Sequence, residues 1–368
     1  MAAQTYGLPD EAVKRKIPAP ELPYQPRDPR RYHPPIGLIG CGGITQSHLR
    51  AYKAAGYNIV ALCDLARSRA EDRRREFYPH AAVYTDFREV LRRGDIEVVD
   101  ITTHPQPRVA IITAALTAGK HVLSQKPFVL DLDVGRRLVD LARRKKVCLA
   151  VNQNGRWAPH FSYIRQAVHA GLLGRIIGAH LDVHWNHGWV AGTPFDQIRH
   201  VILYDFAIHW FDVLTQILPD RPARRVFASL AHAPGQKAKS PLLAQALIEY
   251  DDAQASLIFD ASTPLGWRDR TYIAGTEGSL ESTGPDLNRQ RLTLWTKGGI
   301  ATPRLRGAWF PDGFHGTMAE LLCAIEEKRE PQNNAADNLR SLALCFAAMR
   351  SADTGQCQVP GRVRRITL

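Results

Sequence analysis

The stretch Ile36-Gly37-Leu38-Ile39-Gly40-Cys41-Gly42-Gly43-Ile44, closed off by Cys63-Asp64, decides the fold of this chain. Ile36 to Ile39 predict a buried parallel strand, and the glycines after it predict a turn into a helix starting near Ile44. Gly40 permits a turn that a side chain would obstruct, and Gly42 lets the backbone approach a pyrophosphate. The free N–H groups and positive dipole end of the helix would face that phosphate. Asp64 ends the next apolar run, Asn58 to Cys63, where a carboxylate grips the ribose 2′-hydroxyl of a dinucleotide. Gly40, Cys41, Gly42, Gly43, Ile44 and Asp64 are therefore cofactor candidates, although Thr45 stands where the fingerprint has its third glycine.

The rest of the chain is read outward from that turn. Its 368 residues allow two domains, and 45% hydrophobic with 23% charged content fits a soluble globular protein. No apolar run approaches the ~20 residues of a membrane span. Met1 to Glu21 lack the apolar core of a signal peptide, so a cytoplasmic location is expected. The cysteines Cys41, Cys63, Cys148, Cys323, Cys345 and Cys357 form no C-x-x-C pair, which argues against a zinc knuckle or a disulfide framework. Net charge is +12, yet the basic residues cluster on the polar sides of predicted helices, as in Arg73-Arg74-Arg75. No nucleic-acid module accompanies them, so the charge is read as a basic surface or an attraction for anionic cofactor and substrate.

Residues 1–35 read as a proline-rich arm, with a short helix from Asp10 to Lys16 and no core of its own, either wrapped over a neighbouring subunit or mobile. From 36 to 152, strands alternate with helices of 10–15 residues. That alternation demands a doubly wound parallel sheet, an α/β dinucleotide-binding domain. Residues 153–368 change character: a helix from Pro159, a long strand from Arg175 to Trp185, a helix from Asp205 to Leu218, then hairpin-linked strands and two final helices. This predicts an α+β domain with a mostly antiparallel open sheet, the last helices packing back on the first domain.

Chemistry-bearing residues gather in three places. Ligands bind outside the carboxyl ends of strands in an open α/β sheet. The strand-end residues Thr102, Thr103, His104, Gln125, Lys126 and Asn154 are thus expected at the cofactor crevice. Asp205 and His209 lie four residues apart, on one helical face, among Phe206, Ile208, Trp210 and Phe211. A buried carboxylate there would hold the imidazole in one tautomer and raise its basicity; Asp212 is the other possible partner. Finally, alternation puts His180, Asp182, His184 and Asn186 on one strand face. These could chelate a metal, but sugar contacts by His184, Trp185, Asn186 and His187 are the preferred reading, with Arg156 and Trp157 as further candidates. No metal is assigned.

In order and spacing these pieces resemble the glucose–fructose oxidoreductase/inositol dehydrogenase (Gfo/Idh/MocA) family, from about Pro35 to Val359. Carrying the resemblance are the glycine turn with His48, Ala118-Gly119-Lys120-His121-Val122 with Gln125-Lys126-Pro127, Gly171-Leu172-Leu173-Gly174, Asp205 with His209, and Gly275-Thr276-Glu277-Gly278-Ser279. The resemblance implies an NAD(P)-dependent oxidoreductase acting on a sugar, sugar derivative or cyclitol. It implies His209 as the base that takes the hydroxyl proton, Lys126 as donor to that oxygen, and Asp205 as the group that orients or polarises the pair. It also implies a homodimer or homotetramer. Two departures bear on substrate and direction: Gln125 replaces a glutamate, removing a negative charge beside Lys126, and Arg108 stands where a histidine is common. Asp64 favours NAD over NADP because a carboxylate repels a 2′-phosphate; Arg67, a cofactor candidate, and Arg69 leave NADP open. Two other readings compete. One is a glycoside hydrolase or lyase of the same fold using tightly bound NAD in transient oxidation; the other is a non-catalytic dinucleotide sensor.

Overall fold

The computed structural model of the chain describes residues 15–368. Short, mostly buried apolar runs form Ile36–Ile39 (β1), Ile59–Cys63 (β2), Val98–Ile101 (β4), His121–Ser124 (β5) and Leu149–Val151 (β6), with half-buried Ala82–Tyr84 (β3) at the edge. They pair in parallel in the order β3-β2-β1-β4-β5-β6. Helices Thr45–Ala54 (α1), Arg67–Phe77 (α2), Phe87–Arg92 (α3), Pro105–Thr117 (α4) and Leu132–Lys145 (α5) make the crossovers. The strand order reverses between β1 and β4, which opens a crevice at their carboxyl ends.

Pro159–His169 (α6) leads into a second layer. Its eight-stranded sheet comprises Ile176–His184 (β7), Arg225–Ala231 (β8), Leu243–Glu249 (β9), Gln254–Asp260 (β10), Arg268–Gly275 (β11), Gly278–Asp286 (β12), Arg289–Thr296 (β13) and Gly299–Ala301 (β14). The order is β14-β13-β12-β11-β7-β10-β9-β8, antiparallel except where β7 and β10 run together. Ile208–Ile217 (α7), Trp309–Glu326 (α8) and Ala335–Thr354 (α9) cover one face of it or return to the first sheet. Alternation decides which residues face the helices. Leu181, Val183, Leu257 and Phe259 are buried inward, while His180, Asp182 and His184 point outward. Phe314, Met318, Leu321 and Leu322 of α8 join Leu38, Leu49 and Tyr52 in a common core.

One expectation changes here, and two features are added. The stretch from Asp205 to Leu218 is not one α-helix: Ile202–Phe206 form a π-helical turn, closed by Ala207 N–H to Ile202 O at 2.8 Å, before α7 begins. Gly299–Ala301 adds a short edge strand, β14, beyond those the sequence predicts. The described part of the arm packs along its own chain. Lys16 and Ile17 pair with Ile300 beside β14, and Tyr163 Oη donates to Pro20 O at 2.9 Å. The Glu326 carboxylate accepts the N–H groups of Arg30, Arg31 and Tyr32. The helix expected from Asp10 falls mostly outside the described residues.

Candidate active site

The glycine turn is held from beneath. Gly40 has φ +102°, and a Cβ there would come within 3.0 Å of the Thr102 carbonyl carbon and the Thr103 nitrogen. Gly40 O accepts the hydroxyls of both Thr45, at 2.9 Å, and Thr102. Thr45 is fully buried, so the third-glycine position here carries a hydroxyl that ties α1 back to the turn. Outward, Gly42 and Gly43 border open space, with nothing within 4 Å of a built Cβ. Asp64 is fixed by accepting Cys41 N–H at 2.7 Å and Ala66 N–H at 2.9 Å. Bare glycine backbone at a helix start beside a fixed carboxylate fits a diphosphate and a ribose. Ile44 sits half-exposed at the entry of α1, while Arg67 is exposed and leans on Glu71 at 3.3 Å. Sequence reading missed Arg73. It was taken for helix surface, yet it reaches Gly42 O at 3.3 Å.

At the other end of the crevice, Lys126 Nζ lies 2.8 Å from Asp205 O and 3.2 Å from the Asp205 carboxylate. This corrects the expected pairing of Asp205 with His209. The π-helical turn shifts the register between them, and the carboxylate meets the lysine. His209 packs edge-on against Trp309 with ring centroids 5.3 Å apart, and among the described residues its Nδ1 has no hydrogen-bond partner. Burial, reinforced by the Lys126 charge, holds its pKa well below the ordinary histidine value. His187 is similar: burial and then Lys126 push it down to about 3. Its ring lies 3.9 Å from that of Phe206, the residue after Asp205, and 4.3 Å from that of Trp185. Trp185, His187 and Phe206, with half-exposed Trp189 beyond, thus form an aromatic wall next to Lys126 and Asp205.

Other candidates go elsewhere. Arg156 is buried in ion pairs with Asp212 at 2.6 Å and Asp337 at 2.7 Å, so its charge is consumed in holding α7 and α9 together. Trp157 is buried under Arg165 and against Gly316, part of the core. His184 points to the outer sheet face, where Asp260 and Asp182 take its two ring nitrogens at 2.8 and 3.3 Å. Asn186 closes its own turn onto Gly188 N–H at 2.7 Å. None of these four joins the Lys126 cluster. Asn154 is buried, its Oδ1 accepting Trp309 Nε1–H at 2.8 Å. His104 precedes α4, and Thr103 Oγ1 is buried with no hydrogen-bond partner among the described residues.

Gln125 does not face the lysine ammonium. Its Oε1 accepts Lys126 N–H at 2.7 Å, which turns its amide nitrogen toward His48 Nε2 at 3.1 Å. Asn152 Nδ2 meets the same ring nitrogen at 3.0 Å. With two donors on Nε2, the His48 hydrogen resides on Nδ1 and donates to Asp100 at 2.7 Å. The missing carboxylate therefore acts on a buried network under the lysine turn.

Comparison with known proteins agrees with this fold. Residues 35–153 match the model of the oxidoreductase family with NAD-binding Rossmann fold, and residues 161–281 match the GFO/IDH/MocA C-terminal domain. D-apiose dehydrogenase of Paraburkholderia graminis is 26% identical over 336 residues, 87% of this chain and 88% of that protein. The 1,5-anhydro-D-fructose reductase of Ensifer adhaerens is 27% identical over 332 residues, 87% and 96% of the two chains. Among solved structures, an oxidoreductase from Agrobacterium radiobacter, in complex with NAD+, L-tartaric acid and magnesium, shares the fold with a TM-score of 0.81. It is 22% identical, with 89% of this chain and 99% of that chain covered. The chain belongs to the GFO/IDH/MocA family of oxidoreductases, and its six-stranded sheet is that family's NAD-binding Rossmann fold.

Proposed function

We propose that this NAD-dependent oxidoreductase moves a hydride between the nicotinamide and a ring hydroxyl or ketone of a sugar, sugar derivative or cyclitol. The observation that carries the reading is the Lys126–Asp205 pair at 3.2 Å, set beside a buried His209 at the mouth of the dinucleotide crevice. The relatives' names, a D-apiose dehydrogenase and a 1,5-anhydro-D-fructose reductase, support a carbohydrate substrate.

NAD, when bound, supplies the redox chemistry. Gly40, Cys41, Gly42, Gly43 and Asp64 would hold its diphosphate and ribose, with Thr103, His104, Gln125 and Asn154 toward the nicotinamide. Lys126 Nζ donates to the substrate oxygen and stabilises negative charge there. Asp205 orients that ammonium. His209, uncharged at neutral pH because burial and Lys126 disfavour its charged form, accepts the hydroxyl proton on oxidation and returns it on reduction. Trp185 and His187 offer an aromatic face and an imidazole to the ring. Apolar Phe227, Leu247 and Ile258 on the outer face of the eight-stranded sheet support association of copies through that face.

The test is to mix the purified chain with NAD and a panel of neutral cyclic polyols, sugar phosphates and aryl glycosides. Reduced nicotinamide forming in proportion to oxidised polyol is the expected result. Turnover of an aryl glycoside with no net reduced nicotinamide would overturn the reading.

A further inference from the structure

We propose that Arg108 positions Lys126, clasping together the two strand-end loops from which the reactive end of the crevice is built. The proposal rests on the function proposed above. Arg108 lies one turn into α4, only 1% exposed, directly behind the loops that follow β4 and β5. Its Nε donates to Thr103 O at 3.0 Å, and Nη2 donates to the same carbonyl. Its Nη1 donates to Gln125 O at 2.7 Å and to Pro127 O. The carbonyls it holds thus flank Lys126 on both sides and fix Thr103 next to them. Among the described residues no carboxylate is bonded to this guanidinium.

That arrangement is not what stability alone selects. A buried cation satisfied only by carbonyls carries a large desolvation cost, and a packed apolar side chain often serves a fold as well. Burial indeed pushes the guanidinium down to about 10, against the opposing pull of Tyr204, Asp205 and Asp100. What the planar fork provides is geometry: several donors in one plane reach two separate loops at once. A lysine, with a single flexible nitrogen, cannot span both. With the turn held at Gln125 O and Pro127 O, the Lys126 side chain has a fixed root from which to reach Asp205. The lower side of the same turn is held by Gln125 through Lys126 N–H. Arg108 touches neither the position of the substrate nor that of the reacting atoms, so its role is exerted through Lys126.

Two variants, R108K and R108A, test this in two independent assays. In the first, the NAD-free chain is treated briefly with acetic anhydride, and labelling of Lys126 is read by peptide mass spectrometry. Release of the turn is expected to raise Lys126 labelling about three-fold or more in R108K, with other lysines unchanged; unchanged Lys126 labelling overturns the proposal. R108K retains the buried charge, which guards against loss of folding. In the second, kcat is expected to fall about 100-fold, the scale of a small misplacement at a reacting centre, while KM and the fluorescence-measured NADH affinity stay within about two-fold. Added guanidinium ion is expected to restore part of the kcat of R108A. A normal kcat in R108K, or an equal loss of NADH affinity, overturns the proposal. Failure of the wild-type chain to oxidise any cyclic polyol would instead strike the function reading, leaving the labelling result to decide the role of Arg108.

Discussion

In the proposed function three side chains carry the chemistry, and they are distinguished by what each is bonded to. Lys126 is anchored by both oxygens that Asp205 offers, one from the backbone and one from the carboxylate. K126A is therefore expected to lose about 100-fold or more in kcat/KM, as removal of a transition-state donor does, with NADH affinity retained. D205N keeps the backbone contact and is expected to lose only about ten-fold, with most of the loss in kcat. His209 makes a sharper statement about pH. Its charged form is disfavoured by burial and by Lys126, so the base stays available as pH falls. The acid limb of kcat/KM for oxidation is expected to lie below the ordinary histidine range near 6.5; a limb at or above that range would remove His209 as the base. That Lys126 lies just past the end of a strand is legible from topology, while Asp205 and His209 stand out through the family resemblance rather than through their spacing, which leaves Asp212 open. The partnership was not legible: one extra residue in the π-helical turn before α7 sends the carboxylate to the lysine, and nothing in the residue types announces such a turn. Arg156, Trp157, His184 and Asn186 misled for another reason. Each has the chemistry of a sugar contact, and each is engaged elsewhere: Arg156, Trp157 and His184 by neighbours distant in sequence, Asn186 by its own turn.

Elements separate cofactor binding from folding. Gly42 borders open space, so G42V is expected to leave thermal stability unchanged while raising the NADH Kd by about ten-fold or more, since the side chain would occupy the path of the diphosphate. Fluorescence titration beside a melting curve checks both halves. Arg156 behaves in the opposite way. Burial by itself would lower its pKa, but Asp212 and Asp337 outweigh that and hold the guanidinium charged. Removing one partner strands a buried charge, so D212N or R156M is expected to cost about 3–5 kcal/mol of stability. Denaturant unfolding reads this out, and a loss below ~1 kcal/mol would contradict the assignment. The parallel strands were readable as apolar runs bounded by glycine and acid. The long second-sheet strands were readable from alternation, which also tells that His184 and Val183 face opposite ways. Which of the two faces meets the active site is a tertiary fact, set by Trp210 of α7 packing on Phe259 at 5.2 Å.

At the scale of the whole molecule, buried titratable groups set the response to acid. His160 and His187 are each driven by burial to about 3, Lys126 adding to the effect at His187, and His209 is held well below 6.5. In the unfolded chain all three take up protons as pH falls through about 6.5. Their contribution to stability is thus full above that pH and is lost progressively below it. Asp269 opposes them: burial first, then Asp182 and Asp286, raise it to about 7, so it retains a proton in the fold that the unfolded chain gives up above about 4. Three groups outweigh one, and the melting temperature is expected to fall steadily from pH 7 to pH 5, less steeply in H160Q; a flat profile would contradict these burial effects. The most direct measurement of the central claim combines binding and turnover in wild type and K126A. NAD and neutral cyclic polyols are added to each, and reduced nicotinamide is followed by its near-ultraviolet absorbance, with NADH affinity measured on the same samples. Polyol-dependent reduction in wild type, lost in K126A while NADH still binds, is the result expected. Equal turnover in K126A, or no reduction by wild type with any cyclic polyol, would contradict it.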